Sequence, residues 1–191
     1  MFKTLAVFGS VAIIGLSAVT ARASVLDHTP AQVATEKEAV QMVGQVEEVA
    51  RDVKYHADRL QDLSRSVDVS RWSHYHHLDG IKSLVNDGLR PALSRLSAIG
   101  TQLPGWKQDS IDRMIADAKR LADDTNSAYI AKANGGGLPP AMNDDYKRFI
   151  ADVASHADAL VKTSDAAHSY ATAHLKASEA GLRVPASRSS H

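Results

Sequence analysis

The chain of 191 residues contains no cysteine. This absence excludes disulfides, thiol catalysis, thiolate metal sites, covalently attached c-type haem and a lipid-modified N-terminal cysteine. Stability must therefore come from a packed core, and the chain is long enough to form one within a single domain. Because aromatic residues make up only 5% of the sequence, we expect that core to consist chiefly of aliphatic and alanine side chains.

An excess of charge of either sign is also missing, since 22 basic residues balance 22 acidic ones. The two signs are interspersed, so there is no electrostatic case for binding nucleic acid or an anionic membrane surface. The sequence also lacks a glycine-rich phosphate loop with its Lys-Ser/Thr ending and a nucleophile-elbow serine. These absences predict that the protein is not an enzyme.

Long apolar runs are absent except near the start of the chain. Lys3 is followed by an apolar run from Leu5 to Leu16 and by Ala21-Arg22-Ala23, a small-x-small cleavage site, so residues 1–23 are predicted to be a signal peptide. The run is shorter than the ~20 residues of a membrane span. We therefore expect export to the periplasm or the extracellular space, with no stable membrane span in the mature chain.

A repeated phrase dominates the rest of the sequence. The pattern Asp-Val-x-x-His-Ala-Asp-x-Leu occurs at 52–60 and again at 152–160. Weaker copies lie at Asp117–Asp123, where leucine replaces the histidine, and at His77–Ile81. Variants of one phrase in four helical segments indicate a repeated packing arrangement.

Apolar periodicity predicts four helices, at 29–67, 71–99, about 109–134 and about 141–180. Thr29, Pro30 and Gln32 form a helix-start signature, and Ser70 is placed to cap the second helix. Pro91 lies inside the second helix and predicts a kink there without a break. Residues 24–181 are thus predicted to be one helical domain, followed by a disordered tail at 182–191.

Four amphipathic segments with short connections predict an all-α, antiparallel up-down-up-down four-helix bundle with longer first and fourth helices. The extra turns, at 31–43 and 166–177, are rich in alanine and should pack closely. Each helix has a predicted inward seam. These seams are Val46, Val49, Val53, His56, Leu60, Leu63 and Val67; His77, Ile81, Leu84, Leu89, Ala92, Leu96 and Ile99; Ile111, Met114, Ala118, Leu121, Thr125 and Ala128; and Tyr146, Phe149, Val153, His156, Leu160, Ser164 and Ala167.

His56 and His156 are the main candidates for a site, because this register places both at inward d positions and at similar heights. Such a pair could bind a divalent metal ion or hold the iron of haem b from both sides. Asp52 and Asp152 precede them by one turn and could supply oxygen ligands or orient the imidazoles.

A purely structural role is the alternative for these two histidines. Leu121 occupies the matching place in the third helix, which indicates that an ordinary core residue fits there. The Glu and Glu-x-x-His pattern of two-iron bundles is absent, since the predicted inward positions carry no Glu. A histidine at a d position can also fix the helix register through a hydrogen bond across the core.

A second cluster lies at the start of the second helix. His74 and His77 are spaced i, i+3 and could bind Zn²⁺ or Cu²⁺ weakly. The alternative is an exposed helix start with Trp72 and Tyr75 packed over the first connection.

These patterns together predict an exported, non-enzymatic helical-bundle protein of the cell envelope. It would act as a binding or structural module without a cofactor, and its partner would be a protein or a small ligand. The alternative function is that of a bundle that binds haem b or a divalent metal through His56 and His156, with His77, His74, Asp52 and Asp152 as further candidate ligands.

Overall fold

The computed structural model describes residues 29–103, 108–135 and 138–182, which contain helices and no β-strand. Five α-helices are present: α1 (Pro30–Leu63), α2 (Arg71–Ser83), α3 (Arg90–Gly100), α4 (Gln108–Asn134) and α5 (Asp144–Leu182). A π-helix, Leu84–Leu89, joins α2 to α3, so the described residues form four long helical segments, and a 3-10 turn (Pro140–Met142) precedes α5. The predicted signal peptide and the tail beyond Leu182 lie outside the described residues.

The helix starts follow the capping signals in the sequence. The Thr29 hydroxyl accepts a hydrogen bond from the Gln32 backbone N–H, and the Gln32 side chain accepts one from the Thr29 N–H, which confirms the predicted capping box. Ser70 likewise accepts from the Ser73 N–H and caps α2. These bonds satisfy backbone donors that a helix start leaves without partners.

The end of α1 differs from the predicted boundary at Val67. The helix ends at Leu63, and Ser64 turns its hydroxyl back onto the Gln61 carbonyl oxygen at 2.8 Å. The next backbone bonds are of the tighter i to i+3 type, from Arg65 to Asp62 and from Ser66 to Leu63. Serine competes for backbone partners in this way, which explains why the helix ends four residues early.

The second long segment passes through Pro91 without a break, as predicted, but it does so by an unpredicted π-helix. Here the Arg90 N–H donates to the Val85 carbonyl, five residues back. In a regular α-helix the Pro91 ring would clash with the carbonyl of Asp87. We attribute the π-helix to this conflict, because its wider turn removes the regular hydrogen-bonding pattern just before the proline.

The π-helix also brings Gly88 against α1. A Cβ atom on Gly88 would lie 2.9 Å from Cγ1 of Val49. Alanine usually stabilises a helix by about 0.5–1 kcal/mol relative to glycine. Here we expect Gly88→Ala to lower the free energy of unfolding by about 1–2 kcal/mol instead, because valine is stiff and cannot rotate out of the way.

Urea unfolding of Gly88→Ala, Val49→Ala and the double variant measures this contact. The double variant should be more stable than the sum of the two single effects predicts, since Val49→Ala opens the space that the new methyl group needs. A stabilised Gly88→Ala protein, or strictly additive effects, would show that the two helices do not meet as closely as the structure has them.

The core confirms one predicted seam completely and the other three in part. All six predicted inward residues of α4 are buried. In α1 and α5 the buried positions next to Val53 and Val153 are Ala57 and Ala157, each fully buried, whereas His56 and His156 are only half-buried. Val67 is exposed, and Leu63 and His77 are half-buried. The predicted positions Val49, Leu84, Phe149 and Ala167 are half-buried too, but they pack against the core.

The physical reason for this shift is the small size of alanine. Ala50, Ala57 and Ala157 are fully buried in two helices that pack on each other, and the larger His56 and His156 lie half-buried beside two of them. The predicted seam took the larger of two neighbouring residues as the inward one. Its inward placement of His56 and His156 was therefore wrong, because Ala57 and Ala157 hold the fully buried positions.

Helix contacts show which elements lie side by side. α5 packs mainly on α1 and α4, while α1 also packs on α2, the π-helix and α3. Side-chain pairs between α1 and α5 join Glu36 to His174, Glu47 to His168 and Lys54 to Asp158. These contacts are compatible with a bundle.

Candidate functional site at the connection end

Two of the chain's connections lie side by side. The Lys132 ammonium at the end of α4 donates to the backbone carbonyl of Arg71 at 2.7 Å, and Nδ1 of His74 lies 2.8 Å from the hydroxyl of Tyr146. These contacts place the α1–α2 connection next to the α4–α5 connection. We call this region, residues 64–70, 135 and 138–143 with the adjoining helical turns, the connection end.

A buried polar group holds the connection end together. His74 and Tyr146 are fully buried, and Lys132, also buried, lies with its ammonium 4.1 Å from the centre of the Tyr75 ring. The predicted exposed start of α2 is therefore wrong at His74, which faces the core because Tyr146 offers it a hydrogen-bond partner there.

Burial shifts the pKa of each member of this group. Burial lowers the pKa of His74 to about 4, and the nearby charges of Lys132 and His77 act in the same direction. Burial also lowers the pKa of Lys132 to about 8, assisted by Arg71, and it raises the pKa of Tyr146. His74 and Tyr146 are thus neutral at pH 7.

Exposed apolar side chains concentrate around the same end. Trp72 is 73% exposed, an unusual amount for the largest apolar side chain, and its ring stacks on that of His76. Every large hydrophobic residue that is exposed among the described residues lies in a connection or within about two turns of one. These residues are Tyr55, Val67, Trp72, Ile130, Leu138 and Met142.

An open cleft of about 810 Å³ lies on the α4–α5 side of the connection end. Ile130, Leu138, Met142 and Phe149 supply its apolar surface, and Asp144, Asp145 and Arg148 line it as well. Its openness suits the insertion of a side chain from another molecule, because the apolar walls are already accessible.

Histidines form a cluster on the α1–α2 side. Nδ1 of His56 lies 2.9 Å from Nδ1 of His77, and the ring of His76 lies 5.2 Å from that of His77 between centroids. Burial lowers the pKa of both His56 and His77, and the charges of neighbouring histidines lower each further. Asp52 opposes this effect at His56, while Arg59 adds to it at His77.

The structure separates the two histidines of the repeated phrase. His56 turns toward α2, whereas Nε2 of His156 lies 3.4 Å from Oδ2 of Asp124 on α4. Burial raises the pKa of Asp124; His156 opposes this effect, while Asp152 adds to it. Asp52 and Asp152 thus lie near His56 and near the Asp124–His156 pair, respectively, and the two histidines have their side-chain contacts on different helices.

Sequence analysis missed two buried carboxylates on α1. Glu36 is 1% exposed with Oε1 3.5 Å from Nδ1 of His174, and the buried Glu47 contacts both His168 and Arg51. The expectation that inward positions carry no Glu was therefore wrong. Burial raises the pKa of Glu47, but the hydrogen bond from His168 and the charge of Arg51 outweigh it and leave that pKa below its usual value.

A signal for these carboxylates does exist in the sequence. His168 and His174 lie in the alanine-rich final turns of α5. Polar side chains that interrupt such a closely packed surface need hydrogen-bond partners on the neighbouring helix.

Within the part of the chain that the structure describes, no group of three or more His, Asp or Glu side chains is arranged to hold a metal ion. None of its helices has the length and hydropathy needed to cross a membrane. Comparison of the chain with protein-family models, curated proteins and solved structures gives no match.

Proposed function

We propose that this protein is an exported, non-enzymatic binding module of the cell envelope that docks a protein partner through the connection end. The observation that carries this proposal is the concentration of exposed large hydrophobic side chains around two adjacent connections. Ile130, Leu138 and Met142 line one cleft, and contiguous exposed apolar surface on a folded protein is typical of an interaction site. An exposed tryptophan strengthens the case, because tryptophan is among the residues that dominate binding energy at interfaces.

The architecture that would present this surface is an antiparallel up-down-up-down four-helix bundle. Its support is the order of the contacts, since residue numbers rise along α1 as they fall along α5 from His174 to His168 to Asp158. Alternating helix directions would place the α1–α2 and α4–α5 connections at one end of the molecule. The bond between Lys132 and Arg71 agrees with that arrangement.

Export rests on the sequence of residues 1–23. Lys3, the apolar run from Leu5 to Leu16 and the Ala21-Arg22-Ala23 site form the three parts of a secretory signal in the usual order. A mature chain that begins near Ser24 would carry the docking surface into the periplasm or the extracellular space.

A non-enzymatic role is supported by the location of the groups with the most perturbed pKa values. Such groups often mark active sites. Here His74 and Tyr146 are fully enclosed, and Lys132 is bonded to the backbone of Arg71. Their perturbation thus reflects burial in a structural contact, and a substrate would have no access to them.

The haem alternative has no support in the side-chain contacts of its two histidines. A haem iron gripped by His56 and His156 would require both rings to face one space, but they turn toward α2 and α4. Binding of a divalent metal ion by His56 and a different partner remains as the second candidate, because His77 approaches it closely.

Photo-crosslinking in intact cells tests the docking surface. A photoreactive amino acid is placed at Trp72 or at Met142 in the connection end, and at the exposed positions Ala98 and Gln102 near the α3–α4 connection as controls. We expect discrete crosslinked products from the first two positions and none from the controls.

A second variant tests the apolar nature of the contact. Met142→Ser should remove most of the product formed from position 72, because it makes the cleft more polar without touching the crosslinker. Equal products from both ends of the molecule, or products unchanged by Met142→Ser, would overturn the proposed docking surface.

A further inference from the structure

His56 and His77 bring two ring nitrogens together from different helices. We propose that Nδ1 of His56 and Nδ1 of His77 chelate a divalent late transition-metal ion, for which Cu²⁺ is the best fit. The two residues belong to α1 and α2, and their Nδ1 atoms lie 2.9 Å apart. This inference is independent of the docking proposal, because it rests on the imidazole geometry and not on the apolar surface.

The separation of the two nitrogens agrees with chelation. With metal–nitrogen bonds of about 2.0 Å, neighbouring corners of a square plane lie about 2.8 Å apart, and corners of a tetrahedron about 3.3 Å apart. The observed 2.9 Å is close to the square-planar value. Square-planar or tetragonal coordination by nitrogen and oxygen is typical of Cu²⁺.

The tautomers of the pair are compatible with a metal ion, because a neutral imidazole has one ring nitrogen with a free lone pair. In the metal-free pair one Nδ1–H donates to the other Nδ1. Metal binding would move that proton to Nε2 of the same ring, so no net proton is released.

Local packing fixes the position of the His56 ring. A Cβ atom on Gly80 would lie 2.6 Å from Cε1 of His56 and 2.8 Å from its Nδ1, so the ring lies directly over the glycine. Only a residue without a side chain allows this approach. A ligand held in place before the metal arrives loses less conformational entropy on binding.

Neighbouring groups can complete the coordination and affect its strength. The ring of His76 lies 5.2 Å from that of His77 and 6.3 Å from that of His56 between centroids, close enough to supply a third nitrogen after a rotamer change. Asp52 acts electrostatically on His56 and favours a cation, whereas the charge of Arg59 opposes one. Water would fill the remaining positions, since the site is only half-buried.

The choice of Cu²⁺ follows from the ligand set as well as the distance. Imidazole suits Cu²⁺, Ni²⁺ and Zn²⁺, and the general affinity order places Cu²⁺ above the other two. With only two protein ligands held in place, the site should bind most tightly the ion with the highest intrinsic affinity for imidazole.

Titration of the full mature chain with CuCl₂ in the presence of glycine as a competing chelator tests the proposal. We expect one equivalent to bind, with nitrogen hyperfine structure from two or three imidazoles in the electron paramagnetic resonance spectrum. His56→Gln and His77→Gln should each weaken binding about tenfold or more, since even supporting residues of metal sites contribute about 10–100-fold.

His156→Gln is the matched control, because it alters the same residue of the repeated phrase in the other copy. Its Cu²⁺ affinity should equal that of the unaltered protein. Equal weakening by His56→Gln and His156→Gln, or unchanged affinity in both His56→Gln and His77→Gln, would overturn the proposed site. Circular dichroism without metal establishes that each variant is folded.

Gly80→Ala provides a test that leaves all ligands in place. The new methyl group should push the His56 ring off α2 and lower the Cu²⁺ affinity, while the helix itself remains folded. Full affinity in this variant would show that the His56–His77 approach does not form the site. The docking proposal has its own readout, so crosslinking at Trp72 can fail while copper binding succeeds, and the reverse.

Discussion

Lowering the pH from 7 to 4.5 is expected to remove about 2 kcal/mol of unfolding free energy through His74 alone. Burial lowers the pKa of His74 to about 4, whereas an unfolded histidine titrates near 6.5. Between these two values the unfolded chain binds a proton that the folded chain does not. Stability therefore falls as the pH falls through this window.

A double variant isolates this effect. His74→Leu with Tyr146→Phe removes both partners of the buried 2.8 Å contact, so neither is left without its hydrogen bond, and stability at pH 7 should change little. We measure the free energy of unfolding with urea at pH 7 and at pH 4.5. On acidification it should fall by about 2 kcal/mol less in the double variant than in the unaltered protein.

The remaining pH dependence also has an origin in the structure. His56 and His77 have lowered pKa values and act in the same direction as His74, so some acid sensitivity should persist in the double variant. Tyr146→Phe alone should be less stable at pH 7 than the double variant, because it leaves the buried Nδ1 of His74 without its hydrogen-bond partner. If acidification lowered the free energy of unfolding equally with and without His74, its assigned role would be contradicted.

Much of the fold could be predicted because local signals determined it. The capping box at Thr29 needs only residues three apart, and it forms as the sequence indicates. The seam of α4 could be predicted because its buried residues recur at alternating steps of three and four within one helix. Such features depend on the spacing within one helix, which is visible in the sequence.

The site was less predictable because it depends on contacts between distant parts of the chain. His74 and Tyr146 are 72 residues apart in the chain, and nothing in either helix alone indicates that they meet. His56 and His77 likewise meet across 21 residues of the chain, while Ala57 takes the buried place beside His56. The π-helix before Pro91 also escaped prediction, since a proline in a helix can be accommodated in several ways.

Enlarging the buried alanines of α1 and α5 should have the second large effect on stability. Ala57→Leu and Ala157→Leu should each destabilise the fold by about 1–3 kcal/mol, because both alanines are fully buried and the added carbon atoms have no free space. Ala151 is exposed on α5 and provides the matched control. Ala151→Leu should change stability by no more than about 0.5 kcal/mol.

The same substitution at the neighbouring histidines distinguishes the two possible registers. In the structure His56 and His156 are half-buried on the flanks, so His56→Leu and His156→Leu should leave the protein folded with a change within about 1 kcal/mol. If the histidines faced the interior as the apolar pattern suggests, leucine at 56 and 156 would change stability more than leucine at 57 and 157. Urea titrations of the five single variants give their free energies of unfolding. These values therefore determine which residues of α1 and α5 face the core.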